Sequence, residues 1–223
     1  MRITELLTPG PQLDALYEEV LVASFPPAEL SSLGGIRTAL GSGRGPVWIA
    51  TDDEGTVLAG AIGDWEPGPR VLLLSWLAVR PGHRGGQVGG PLLDAALDAW
   101  RAAYEPCLIL AEVEDPACHT GNEEHGYADA RLRFYQRRGA RALDVPYFQP
   151  ALGPDGERVS DLLLLVLHAD PEFAGAEPDT INADVLREYI EIYQRDCEGD
   201  VQADDQAMAL WRALDRPGGV RLR

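Results

Sequence analysis

The chain reads as a mixed α/β fold, a sheet flanked by helices, and three observations predict it. Short apolar runs bounded by turn residues alternate with segments of helical spacing. One of those runs, residues 71–79, leads through a glycine-rich turn into a helical segment. The 223 residues, 45% of them hydrophobic, suffice for a substantial core in one large domain, or in one domain plus an extension.

The elements follow in order. Residues 2–7 suit a short strand. Residues 14–23 carry helical spacing and stop before Pro26 and Pro27, and residues 28–40 read as a second helix. Strands over 47–51 and 57–65 form a hairpin through the turn Asp52-Asp53-Glu54-Gly55. Pro67-Gly68-Pro69 turns the chain into the long strand 71–79. A helix over 87–104 follows the glycines, with Val88, Leu92, Leu93, Leu97 and Trp100 near one stripe. Pro106 precedes a strand over 107–114. A polar loop then leads to a helix over 128–138, for which Gly139 is a natural stop. Strands over 142–148 and 159–167 are joined by the turn Gly153-Pro154-Asp155-Gly156. After His168 the composition turns acidic, and residues 179–193 and 204–214 read as two helices. The expected division is a domain over 1–168 and an acidic helical extension over 169–223.

The formal net charge of −17 argues against nucleic acid or an anionic membrane surface as the main partner. The charge is uneven. From residue 70 to 93 stand three arginines and no carboxylate, whereas from 170 to 215 thirteen carboxylates face three arginines. The glycine-rich turn therefore sits in the one locally basic region, as a phosphate site requires. The three cysteines, Cys107, Cys118 and Cys197, form no CxxC pair, which speaks for a reducing compartment. With neither an apolar signal region at the N-terminus nor a run of membrane length, a cytoplasmic location is expected.

Which phosphate carrier the turn accepts is a matter of residue types. A nucleotide triphosphatase loop ends in Gly-Lys-Ser/Thr, and this chain contains no lysine. The dinucleotide fingerprint finds a loose match in Gly82, Gly85, Gly86, Gly89 and Gly90, but Arg84 lies inside it and the preceding strands look antiparallel. The third pattern is Leu77-Ala78-Val79-Arg80-Pro81, then Arg84-Gly85-Gly86-Gln87-Val88-Gly89, then Leu92-Leu93. It resembles the coenzyme A-binding motif of the GCN5-related N-acetyltransferase (GNAT) family. Gln87 stands where the family usually has a glycine. Downstream, Arg133-Phe134-Tyr135-Gln136-Arg137-Arg138-Gly139-Ala140 is similar to a later helix of that family, with Ala140 in place of a Phe, and Tyr147-Phe148-Gln149-Pro150 is similar to a strand ending in one bacterial branch.

The resemblance implies the acyl-CoA N-acyltransferase fold, a mostly antiparallel sheet of about seven strands, over roughly residues 2–168. It also implies acetyl-CoA as cosubstrate and direct transfer to an amine, in a small molecule or a peptide, within a ternary complex. By the same resemblance Leu77, Ala78 and Val79 pair with the pantetheine arm, and Arg84, Gly85, Gly86, Gln87, Val88, Gly89 and Gly90 hold the pyrophosphate. Tyr135 would stand near the sulfur as acid or hydrogen-bond donor; outside that motif it would read as a core aromatic. Glu112 and Glu114 alternate along one strand and share a face. Glu112 precedes a Val, where some members carry the general base; Glu114, beside Asp115-Pro116, suits a solvated strand end. The loop from Cys118 to His125 has zinc-type residues but no repeated ligand pair, so no metal is expected there. The alternative function is a non-catalytic coenzyme A sensor on the same fold. The acidic C-terminal helices are left with three roles: covering the sheet, meeting a second subunit in a homodimer, or capping the acceptor site.

Overall fold

A computed structural model describes residues 1–85, 87–122, 126–152 and 156–223, and its chain separates into two units, 1–65 with 72–105 and 66–71 with 106–223. The first unit begins with strand β1 (Arg2–Leu6), helix α1 (Pro11–Leu16) and a π-helical turn at Tyr17–Leu21. After a 3-10 turn at Pro27–Glu29 come α2 (Leu33–Gly41), β2 (Val47–Thr51), β3 (Val57–Glu66), β4 (Val71–Val79) and α3 (Gly89–Ala103). β1, β2 and β3 pair antiparallel, with Leu6 opposite Val47 and Val47 opposite Ile62. Leu13, Leu16, Val20, Leu21, Ile36 and Leu40 bury their side chains against Val47, Ile49 and Ile62. Gly60 leaves the space on β3 that the Leu16 side chain fills.

The second unit holds β5 (Leu108–Glu114), the short pair β6 (Gly121–Asn122) and β7 (Gly126–Tyr127), α4 (Ala128–Gln136), β8 (Arg141–Ala142), β9 (Tyr147–Gln149) and β10 (Val159–Ala169). Then follow β11 (Thr180–Ile181), α5 (Ala183–Glu198), α6 (Asp205–Leu214) and β12 (Val220–Arg221). β10 runs antiparallel to β5, with Leu164 opposite Glu112, and its other edge takes β8 and β9. The fold class is as expected: a mixed, mostly antiparallel sheet of eight strands flanked by helices.

Several boundaries differ from the sequence reading, each for a local reason. The single helix expected over 28–40 is two elements. Leu30 is extended, and the Ser32 hydroxyl accepts the Gly35 N–H at 3.2 Å, so α2 begins only after Ser32. The strand expected over 142–148 is split, because the Val145 N–H folds back on Leu143 O at 3.0 Å and Pro146 has no N–H to offer a ladder. The helix expected over 179–193 starts later and ends later. The Asn182 side chain caps it by accepting the Asp184 N–H at 2.9 Å, Gly199 in the left-handed region (φ 82°) closes it, and Thr180–Ile181 pairs with Val220–Arg221 instead.

Candidate functional site

The last residues of β4 alternate in exposure: Ala78 is buried while Leu77 and Val79 are half-buried. Arg80 anchors the chain as it leaves the strand. Its N–H donates to Leu58 O at 2.7 Å, its Nε donates to Val57 O at 2.7 Å, and its Nη2 pairs with Glu19 of the π-helical turn. Beyond that anchor Gly82 (φ 85°) and Gly85 (φ 75°) occupy the left-handed region, where a β-carbon would add about 1–2 kcal/mol of strain each. Gly85 thus supplies the bend that Gln87 does not; Gly86 lies outside the described residues. Arg84 is exposed and donates to Ser24 Oγ at 3.1 Å.

α3 then starts at Gly89 without a side-chain cap and without an acidic residue in its first turn. The first intrahelical bond is Leu92 N–H to Val88 O at 3.2 Å, and Pro91 has no N–H. The Gly89 and Gly90 N–H groups therefore have no acceptor within the helix and project from its positive end. This start lies two residues inside the boundary expected from sequence, with Gln87 exposed and Gly89 buried.

In the second unit, Ala128, Arg131 and Tyr135 line one face of α4 at helical spacing. Arg131 Nη2 stands 3.3 Å from Glu114 Oε2, so Glu114 is engaged with α4 and is not the solvated strand end expected. Tyr135 is 6% exposed, and burial pushes its phenol up to about 12 against the opposing pull of Arg131 and Arg138. Its hydroxyl makes no hydrogen bond among the described residues. Phe134 meets the Tyr135 ring edge-on at 5.2 Å, and the Arg138 guanidinium lies over Phe134 at 4.2 Å.

Glu112 is half-buried, and both of its carboxylate oxygens accept hydrogen bonds. The Tyr147 hydroxyl donates to Oε1 at 2.6 Å and the Gln149 amide donates to Oε2 at 3.3 Å. Gln149 also hydrogen-bonds Tyr193 of α5. Burial first, and the Glu112 charge second, raise the Tyr147 and Tyr193 phenols well above their ordinary value, so both remain protonated. Tyr147 and Gln149 alternate on β9 and so share a face, a signal that period-two reading of that strand carries; Tyr193, far along the chain, gives no such signal. In the loop after β5, the His119 Nε2 lies 3.3 Å from Ser160 O, while Glu123, Glu124 and His125 fall outside the described residues.

The chain is similar to known proteins in sequence and in fold. Residues 43–139 match the family model of the acetyltransferase (GNAT) domain. A protein from Bacteroides thetaiotaomicron described as a GNAT-family acetyltransferase superposes with a TM-score of 0.60 at 23% identity, covering 87% of this chain and 99% of its own. An aminoglycoside 6'-acetyltransferase of type Ii gives 0.53 at 17% identity over 77% of this chain and 100% of its own. A Bacillus subtilis acetyltransferase solved in complex with CoA gives 0.51 at 17% identity over 76% and 99%. None of the curated proteins compared matches the sequence. No helix among the described residues is long and apolar enough to cross a membrane. The strand, glycine turn and helix of residues 77–93 lie within the stretch, 43–139, that matches the acetyltransferase (GNAT) domain model, and the fold is that of the GNAT acetyltransferase structures.

Proposed function

We propose that the protein transfers the acetyl group of acetyl-CoA to an amine, in a small molecule or a peptide, by direct transfer in a ternary complex. The observation that carries this reading is the open N-terminus of α3, placed directly after the glycine turn and inside the region that matches the family model. The fit to a pyrophosphate is physical: donors without internal acceptors, the positive end of a 15-residue helix, and no carboxylate from residue 70 to 93 to repel an anion. In this reading Arg84, Gly85, Gly86, Gln87, Val88, Gly89 and Gly90 hold the diphosphate, and Leu77, Ala78 and Val79 offer a strand edge to the pantetheine arm. The coenzyme supplies an activated thioester.

Two side chains then handle protons. An ammonium acceptor must lose a proton before its nitrogen can attack, and Glu112 takes that proton on a carboxylate oxygen held in orientation by Tyr147 and Gln149. Tyr135 stays protonated at neutral pH and its hydroxyl makes no hydrogen bond among the described residues, which suits an acid for the departing thiolate. Residues 169–223 are read as an extension of the acetyltransferase domain that supplies Tyr193 to the Glu112 group. The compartment in which these reactions run is read as the cytoplasm.

The test is a panel of amines assayed for CoA release, with Tyr135→Phe beside the parent. At least one amine is expected to be turned over. The variant should lose about tenfold to a hundredfold in kcat while its KM for acetyl-CoA changes little, the pattern of a group that acts in the transition state. CoA binding with no turnover of any amine would replace the enzyme by a coenzyme A sensor on the same fold.

A further inference from the structure

Cys107, His168 and Asp170 take no part in the chemistry above, yet they converge. The Cys107 Sγ, an imidazole nitrogen of His168 and a carboxylate oxygen of Asp170 all lie within 4.8 Å of one another. The pairing of β5 with β10 brings them together: Ala169 stands opposite Leu108 and His168 opposite Ile109, past a bulge at Val166/His168. The residue before β5 therefore meets the residue after β10. Two hydrogen bonds clamp that junction, one within the backbone from Asp170 N–H to Cys107 O at 3.1 Å and one from Cys107 N–H to the Asp170 side-chain Oδ2 at 2.7 Å. The second fixes the carboxylate and leaves Oδ1 turned toward His168 Nε2, 3.3 Å away.

We propose that Cys107, His168 and Asp170 form a binding site for one thiophilic divalent cation of the zinc class. The donor set is one sulfur, one imidazole nitrogen and one carboxylate oxygen, the three types zinc takes in tetrahedral sites. Metal bonds of about 2.0–2.3 Å at tetrahedral angles put ligand atoms roughly 3.3–3.8 Å apart, so the three must close by about 1 Å on binding. Charge favours the site as well. A thiolate and a carboxylate cancel a dication, giving a neutral complex for a place where Cys107 is fully buried and the other two side chains are 17% and 20% exposed. Binding displaces the thiol proton to solvent, and the exposed side, next to His168 and Asp170, leaves a fourth position for water. The Cys107 N–H on Oδ2 is the kind of outer contact that orients a metal-binding carboxylate. Such a cation ties the start of β5 to the end of β10, where the chain departs for its C-terminal helices.

The experiment uses the full chain, reduced and stripped with chelator, titrated with Co2+ alone and then Zn2+ alone. One equivalent of Co2+ is expected to give the d–d bands of a tetrahedral ion and a thiolate-to-cobalt charge-transfer band, both erased by Zn2+. Zn2+ should also raise the melting temperature, and chelator should reverse the rise. Cys107→Ser removes the charge-transfer band, while Cys118→Ser and Cys197→Ser keep it. Because position 107 is buried, Asp170→Asn provides a second variant: it retains an oxygen for the Cys107 N–H yet should weaken Co2+ binding by about tenfold or more. No binding, binding without the sulfur band, or a band that survives Cys107→Ser each overturns the proposal.

Discussion

Helices α3 and α6 begin in opposite ways. At the start of α6 the Asp204 Oδ1 accepts the N–H groups of Gln206 and Ala207 at 3.1 and 3.0 Å, and Asp205 adds a second negative charge to the first turn. α5 and α2 are closed by Asn182 and Ser32, and α1 and α4 carry Asp14 and Asp129 in their first turns. Among the described α-helices only α3 has neither a capping side chain nor an acidic residue there. The same unsatisfied donors occur at every helix start. Where the chain supplies its own acceptor, the end is structural. Where it supplies glycines and withholds carboxylates, the donors stay available to an anion from outside.

The contrast is sharpest where the closed end is built most heavily. Arg158 donates through Nε and Nη2 to the two oxygens of Glu198, at 2.7 and 2.8 Å, and through Nη1 to Asp204 Oδ2 at 2.8 Å, while its guanidinium lies over Phe148 at 4.5 Å. The Glu198 side chain is 8% exposed. Glu198→Ala leaves a largely covered arginine without its bidentate partner and should cost about 3 kcal/mol in denaturant unfolding, with the affinity for CoA unaltered. A loss below about 1 kcal/mol would class the pair with solvated surface bridges.

The open end makes the converse prediction. Val88→Asp places a carboxylate at the start of α3, where it both repels phosphate and competes for the Gly89 and Gly90 donors. CoA binding, measured by calorimetry, should weaken by about 30-fold, about 2 kcal/mol. Thermal stability should hold or rise, since an acid there complements the helix dipole. Unchanged affinity would remove α3 from the phosphate site.

Features written into consecutive residues were legible in the sequence, and features made by distant partners were not. Glycines at 82 and 85, the lack of carboxylates from 70 to 93 and the stripe after Val88 are local, and they located the turn and α3 to within two residues. The alternation of Glu112 and Glu114 placed them on one face, but nothing in the strand said that one would meet Tyr147 and the other Arg131. Arg158 reaches residues 40 and 46 positions away, and Cys107 meets His168 and Asp170 through a strand register shifted by a bulge. The helices capped by Ser32 and Asn182 were read from apolar spacing alone, which started them four to five residues too early. The acidity of the last 55 residues did not choose among the three roles left to them, and it gave no sign that Asp179 would pair with Arg141 or that Glu198 and Asp204 would pair with Arg158.

The smallest effect tests the same contrast through pH. The Arg158 hydrogen bonds hold the Glu198 carboxyl below its ordinary 4.5, and the Ala207 N–H, with Arg158, holds Asp204 below 3.8. A carboxyl depressed in the folded state contributes stability that is complete above its unfolded value and is lost as pH falls through the folded one. The closed end of α6 therefore weakens in acid below about pH 4.5, whereas the α3 start, with no carboxylate in its first turn, adds nothing to that slope. Asp204→Asn isolates the charge, because Asn caps a helix as well as Asp does. At pH 7 the variant should lose less than about 1 kcal/mol, the worth of a half-exposed ion pair with Arg158. In urea unfolding from pH 7 to pH 3 the difference from the parent should shrink, as the parent's Asp204 takes up the proton that the variant never binds. A gap that widens in acid would mean that Asp204 is stabilised by protonation, and the α6 start would then no longer be the chain's own substitute for a bound anion.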